Sequence, residues 1–252
     1  MKRVFGIILI MFATQMQAQS AIPDNTILPV RLNSSLNSRK AKIGDIVTAR
    51  VMQDVPLSMG WKIHVGTKVI GHVTDVKRGT DAQVSIRFDT LVVSGRRMAI
   101  TTSLRALASM MAVEEAQVPK FGPDRGTPED AWTTEQIGGE VVYRGGGPVA
   151  DGLRTVGVPT ANGVLVHVSA KPGTKCRDEI DGNDRLQALW VFSSDACGPY
   201  GFADLTINHA GRTNPVGEIT LASEHGNVNV RAGSGMLLRV NSKTPSSARG
   251  SS

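Results

Sequence analysis

Aromatic residues make up only 4% of this 252-residue chain, and cysteine occurs only twice. No apolar run, the short N-terminal one included, approaches the ~20 residues that a membrane-spanning helix requires. A helical span is thereby excluded. A concentrated positive surface is also missing. The formal net charge is +6, but Lys2 and Arg3 lie in a leader-like segment and Lys243 and Arg249 in a Ser-rich tail, and removing those four charges from +6 leaves +2. Binding along a phosphate backbone needs clustered cations, so no nucleic-acid partner is expected. No repeat of fixed period is present, which argues against a solenoid or fibrous array. What the chain does have is 40% hydrophobic residues, 27 Gly and 12 Pro, a composition suited to one or two packed domains of strands and turns.

The N-terminus has the layout of a secretory signal peptide. Lys2-Arg3 is followed by apolar Val4 to Ala13, and then by small and polar residues at Ala18-Gln19-Ser20-Ala21. Cleavage after Ser20 is preferred, with cleavage after Ala18 as the alternative, and no Cys stands nearby to carry a lipid. Export to a periplasmic or extracellular setting makes the two cysteines legible. Cys176 and Cys197, with no other thiol competing and no His close to either, predict a disulfide. Closing that loop is worth about 3 kcal/mol in the chain-entropy description.

From Ile27 to Leu107 the chain alternates apolar and polar residues at the two-residue period of half-buried strands. Val47, Ala49 and Val51 form one inward set, and Val84, Ile86, Phe88, Thr90 and Val92 another. Ser94-Gly95 turns the latter strand into Met98, Ile100, Thr102 and Leu104 as a hairpin. Between Ala108 and Thr155 the pattern changes to a long insertion or crossover. Thr127-Pro128-Glu129-Asp130 there offers a cap hydroxyl, a first-turn proline and early acids, predicting a short helix from Pro128 to Ile137 stopped by Gly138-Gly139. Strand patterns resume at Val164, Val166 and Val168, at Leu186 to Phe192, at Ile207, and at Glu218 to Ala222. The last two runs, Asn227 to Arg231 and Met236 to Val240, predict a terminal hairpin with Val228, Val230, Met236, Leu238 and Val240 turned inward. The fold class is therefore all-β, a mainly antiparallel barrel or sandwich with a short helix in a long insertion. Its organisation reads as a signal peptide over 1–20, a β-rich half over 21–107 and an insertion over 108–155. A second β-rich half over 156–241 closes the same barrel, and a disordered tail covers 242–252.

Catalytic signatures are sparse. His64, His72, His167, His209 and His225 are scattered without the His-x-x-x-His spacing that places two imidazoles on one helix face, so no metal site is expected. Gly233-Ser234-Gly235 lacks the Gly-x-Ser-x-Gly spacing of a hydrolase elbow and reads as a turn. Gly145-Gly146-Gly147 has no following Lys-Ser or Lys-Thr to complete a phosphate cradle. The acidic run Asp178 to Asp184 has no Glu at the twelfth position of a calcium loop, and Arg39-Lys40-Lys42 reads as a solvated basic loop. Trp190, within Leu189-Trp190-Val191-Phe192, is a core residue. Trp61, beside Gly60, and Trp132 are the candidates for a binding surface.

One stretch carries a resemblance. Ile27-Leu28-Pro29-Val30-Arg31-Leu32, Leu36-Asn37-Ser38, Gly44-Asp45-Ile46-Val47-Thr48-Ala49-Arg50-Val51, Asp54-Val55 and Ile63 to Gly71 follow one another in a familiar order. Together they resemble the opening of the β-barrel domain of TrbI-like proteins, outer-membrane core components of conjugation and type IV secretion machines. The likeness runs from Ile27 to Leu104. His64-Val65-Gly66-Thr67 stands where that family has Pro-x-Gly-(Ser/Thr), without the proline, and the inner-membrane anchor, Pro-rich stalk and helical pore insertion of the family have no counterpart. The resemblance implies a β-barrel and a bacterial cell-envelope setting, and it carries over no catalytic residue.

The resulting expectation is an exported, non-enzymatic envelope protein without a cofactor, offering a structural or interaction surface to a protein partner. The alternative is a ligand- or polysaccharide-binding β-module, with Trp61 or Trp132 over a concave face contacting a glycan. A third reading, a hydrolase assembled by the fold alone, requires His to meet Asp or Ser in a pocket.

Overall fold

The computed structural model describes residues 22–119, 132–143, 146–168, 176, 185–210 and 216–241. The segment read as a signal peptide over 1–20, the acidic run Asp178 to Asp184, and the segment over 242–252 read as a tail lie outside the described residues.

In chain order the first elements are β1 (Ile27–Leu32), β2 (Leu36–Asn37), β3 (Ile46–Val51), β4 (Val55–Pro56), β5 (Lys62–Ile63), β6 (Lys68–Lys77), β7 (Ala82–Val93), β8 (Arg96–Ala99), β9 (Thr102–Ala108) and helix α1 (Met110–Gln117). Strands β10 (Thr133–Glu135), β11 (Val141–Tyr143), β12 (Val149–Asp151), β13 (Arg154–Thr160), β14 (Gly163–His167) and β15 (Leu186–Ala188) follow. The last are β16 (Gly198–Tyr200), β17 (Leu205–Asn208), β18 (Ile219–Ser223), β19 (Asn229–Val230) and β20 (Gly235–Val240).

A ten-stranded sheet runs β16-β9-β20-β1-β3-β6-β7-β18-β17, with β8 paired to β7 off this path. All its pairs are antiparallel except β16 with β9. The sheet curls into a nearly closed barrel. Its end strands β16 and β17 lie against each other. Strand β9 also reaches across to β7, where the Ile100 N–H donates to the Asp89 carbonyl (2.9 Å) and Thr102 Oγ1 donates to the Phe88 carbonyl (3.2 Å). Inward alternation supplies the core: Leu28, Val30 and Leu32 of β1, Val47, Ala49 and Val51 of β3, Val69 and Val73 of β6, and Met236, Leu238 and Val240 of β20.

A second sheet, β10 through β15 in simple sequence order, covers one side of the barrel. Together with Val113 and Ala116 of α1, its Val142, Val149, Val164 and Val166 pack on the outward side chains of Ile27, Ala106, Ala108 and Leu237. This is why every residue of β9 and of β20 is buried. Both faces of those strands meet apolar layers, as in a sheet sandwiched on two sides.

Several expectations are corrected at this level. The segment read as a helix from Pro128 to Ile137 contains β10, and Ile137 bridges Phe192; Pro128 to Ala131 lie outside the described residues. β-branched Thr133 and Thr134 pair with Tyr143 and Val142, so tertiary strand pairing overrides the local capping signal. The helix of this region is α1, where the Ser109 hydroxyl accepts from the Ala112 N–H (3.2 Å) as an N-cap. The terminal hairpin is also absent. Strand β19 pairs with β2 and β20 inserts between β1 and β9, although the five apolar residues assigned to the interior do reach the barrel core.

Strand β7 departs from strict alternation. Ile70 pairs with Thr90 but Gly71 pairs with Phe88, so Asp89 is a bulge residue and Leu91 replaces Thr90 and Val92 in the core. At the bulge a Cβ on Gly71 would stand 2.2 Å from the Arg87 carbonyl oxygen, an approach only glycine tolerates. The hairpin at Ser94-Gly95 forms as expected, joining β7 to β8 with Val93 opposite Arg96. It ends at Ala99, and Thr102 and Leu104 belong to β9 on the far side of the barrel opening. Likewise the run from Leu186 to Phe192 is a strand only through Ala188, because Trp190 turns the chain at φ 54°.

Candidate functional site

Where β3 ends, Met52-Gln53-Asp54 leaves the barrel and passes under the second sheet. Gln53 is buried and fully engaged. Its Nε2 donates to the Val164 carbonyl (2.8 Å) and to Thr160 Oγ1 (3.1 Å), and its Oε1 accepts the Trp190 N–H (2.7 Å). One amide thus ties the barrel to β13, β14 and the Trp190 turn. A Cβ on Gly163 would lie 2.4 Å from Gln53 Oε1 and 2.5 Å from the Trp190 Cα, which accounts for glycine at the start of β14.

Two clefts open on either side of the β13–β14 turn, and Thr160, Ala161 and Asn162 line both. The smaller, of 300 Å³, lies between that turn and the β4–β5 hairpin. Its wall includes Trp61. The hairpin tip is a single 3-10 turn over Ser58–Gly60, with Met59 at φ 57° and the Leu57 N–H donating to the Trp61 carbonyl (2.7 Å). Met59 is 94% exposed and Trp61 67%. At the base of the hairpin Asp54 accepts from Lys62 Nζ (2.6 Å) and from the Val65 N–H (2.9 Å), with His64 Nδ1 at 3.7 Å. These partners, Lys62 foremost, hold the Asp54 carboxyl below its usual range. The larger cleft, of 480 Å³, is bounded by the C-terminal end of α1, by β10, β11 and the Trp190 turn.

The sequence candidates fall in different places. Trp61 stands on the exposed hairpin, whereas Trp132 is half-buried immediately before β10 and lines neither cleft. Arg39, Lys40 and Lys42 are exposed on the connection after β2. Gly146 and Gly147 precede β12, with Gly145 outside the described residues. Ser234 is a buried turn residue before β20. Among the described residues no three His, Cys, Asp or Glu side chains gather as a metal site. A His–Asp contact does occur, His72 Nδ1 to Asp89 Oδ2 at 2.9 Å, created by the β7 bulge. Thr90 Oγ1 donates to Asp89 itself (2.7 Å), and neither His72 nor Asp89 lines either cleft, so the order of a nucleophile–base relay is not formed.

Sequence reasoning missed a buried polar cluster under the Ser193-to-Cys197 loop. Leu237 pairs with Ala106 and Leu238 with Leu104, so Arg105 is the extra residue of a bulge in β9. Its Nε donates to the Ala196 carbonyl and its Nη2 to the Ser194 carbonyl, both at 2.9 Å. Burial, with Arg239 adding repulsion, pushes the guanidinium down to about 10. From the other side the Glu140 carboxylate accepts from the Ser194 N–H (3.1 Å) and from the Ser194 hydroxyl. The available signal was a lone charge inside the apolar run Leu104-Arg105-Ala106-Leu107-Ala108.

Burial raises the Glu140 carboxyl above its ordinary value despite the Ser194 bonds. The folded state therefore holds this proton more tightly than the unfolded chain, so the group's contribution is largest below the unfolded value near 4.5 and is lost as pH rises through the raised folded value. The stability difference between the native protein and Glu140→Gln is expected to shift in favour of the native protein as pH falls from neutrality to 4. Urea titrations across that range measure it, and a shift of opposite sign would contradict the assignment.

The same loop carries the disulfide. Cys176 and Cys197 are bonded, with Cα atoms 5.8 Å apart, and Cys197 is fully buried, its N–H donating to Tyr200 Oη (3.2 Å). The double variant Cys176→Ser, Cys197→Ala is expected to lose about 3 kcal/mol from the restored freedom of the unfolded chain. Calorimetry beside the reduced native protein checks this.

No protein-family model matches the chain, and no curated protein matches it.

Proposed function

We propose that this is an exported, non-enzymatic protein of the bacterial cell envelope that presents the Met59–Trp61 hairpin to a protein partner, within an assembly of the TrbI-like kind. One observation carries the reading: a short hairpin held by an ion pair at its base displays two large apolar side chains to solvent. Methionine and aromatic residues are enriched at protein interfaces, and an aromatic ring buries much area at modest entropic cost. The barrel-like sheet agrees with the architecture that the resemblance implies, and a disulfide suits an oxidising compartment.

A photo-crosslinking amino acid at position 59, activated in intact envelopes, is expected to capture a defined protein that the same probe at exposed Leu153 does not. Trp61→Ala is expected to weaken that capture severalfold, as for an interface anchor. No adduct, or the same adducts from both positions, would sink the reading. The second reading, a ligand- or polysaccharide-binding β-module, is favoured by the place of Trp61 on the wall of the smaller cleft.

A further inference from the structure

The larger cleft has a chemistry of its own. Its polar lining is supplied by the amides of Gln117, Gln136 and Asn162 and the hydroxyls of Thr134 and Thr160, and none of its described lining residues is ionisable. Met52, Val142, Val164 and Trp190 supply apolar surface between them. A volume of 480 Å³ falls within the ~300–1,000 Å³ of small-molecule sites. An ionic ligand would leave its charge uncompensated there.

Gln136 adds a second, independent observation. It is 6% exposed, and its Oε1 has no hydrogen-bond partner among the described residues. A buried amide oxygen without a donor costs about 1–3 kcal/mol, and since this one has no accessible surface as it stands, a ligand hydroxyl relieves that deficit once the amide turns towards the cleft. The backbone of the same residue is satisfied, with its N–H donating to the Glu140 carbonyl (2.7 Å) and its carbonyl accepting from Gly139 (2.9 Å). The unmet demand is therefore confined to the side chain.

We infer that this cleft binds a neutral saccharide of one or two rings, whose hydroxyls bond Gln136, Thr134 and Asn162 and whose C–H face lies against Met52, Val142 and Val164. The site is separate from the Met59–Trp61 hairpin, so it stands or falls independently of the protein-partner reading.

The test is titration of the mature protein with maltose, cellobiose and N-acetylglucosamine, alongside glucuronate and glucosamine as charged counterparts. Amide and indole NMR shifts and heats of binding give the readout. At least one neutral sugar is expected to bind and to move the resonances of Thr134, Asn162 and Trp190, while the charged sugars leave them in place. Gln136→Leu is expected to weaken that binding about tenfold without lowering Tm, since the lost oxygen bonds nothing in the free protein. Should Gln136→Leu fail to fold, Asn162→Ala at the exposed turn carries the same expected loss. Three results overturn the inference: no neutral sugar binding at millimolar concentration, equal binding of the charged sugars, or undiminished affinity in the variant that folds.

Discussion

Replacing Arg105 with methionine is expected to destabilise the protein by about 4–5 kcal/mol, the largest effect of any single substitution considered. Methionine fills similar volume, so little of this is a cavity. The loss arises because the Ser194 and Ala196 carbonyls remain buried with no donor, and because Asp195 loses a nearby positive charge. Arg105→Lys is expected to recover only a small part, since one ammonium cannot serve two carbonyls in the fork geometry of a guanidinium. Urea unfolding of the three proteins measures the difference. A loss below about 1 kcal/mol for Arg105→Met would place Arg105 among ordinary surface-type ion pairs and refute its role under the loop.

Gln53→Ala is expected to cost about 4 kcal/mol by a different route. The buried Trp190 N–H loses its partner, the Val164 carbonyl keeps only the Leu189 N–H (3.2 Å), and a cavity opens between barrel and second sheet. Trp190, held at positive φ, is expected to relax first. Its fluorescence should therefore change at denaturant concentrations where the amides of β3 and β6 are still protected from exchange. Simultaneous loss of both signals in the variant would show that Gln53 does not couple the layers.

Much of the barrel was legible because its strands obey a period of two. The inward sets on β3, β6 and β20 follow directly from alternating apolar residues, with polar neighbours outside. Legibility failed where one residue breaks the count: the bulges at Asp89 and Arg105 reverse parity without any change in composition. It failed again at Thr133 to Glu135, where pairing with β11 decides the conformation and good helix-capping residues nearby do not. Strand neighbours were the least accessible feature. Nothing in Asn227 to Val240 says that β20 must join β1 rather than β19, because that choice depends on which edge remains open when the rest of the sheet is assembled. Of the candidate sites, the disulfide followed from the chain itself, whereas Trp61 and Trp132 were equal candidates there and only the structure separates the exposed one from the half-buried one. The neutral cleft did not follow from the chain, since Gln117 at the end of α1, Gln136 after β10 and Asn162 in the β13–β14 turn lie apart in the sequence and line one cleft only in the folded chain.

The pairing of β1 with β20 has a consequence for how the molecule comes into being. Ile27 lies opposite Arg239, so the earliest and latest of the described strands are hydrogen-bonded neighbours, and β20 also fills the gap before β9. A chain emerging from its amino end must hold β1 and β9 unpaired along those edges until β20 has been delivered. Such end-to-end closure makes folding slow and all-or-none, and leaves a nascent chain exposed to edge-to-edge association in the interval. A nonsense truncation before Gly235 should therefore yield an aggregating or degraded product and not a shortened barrel.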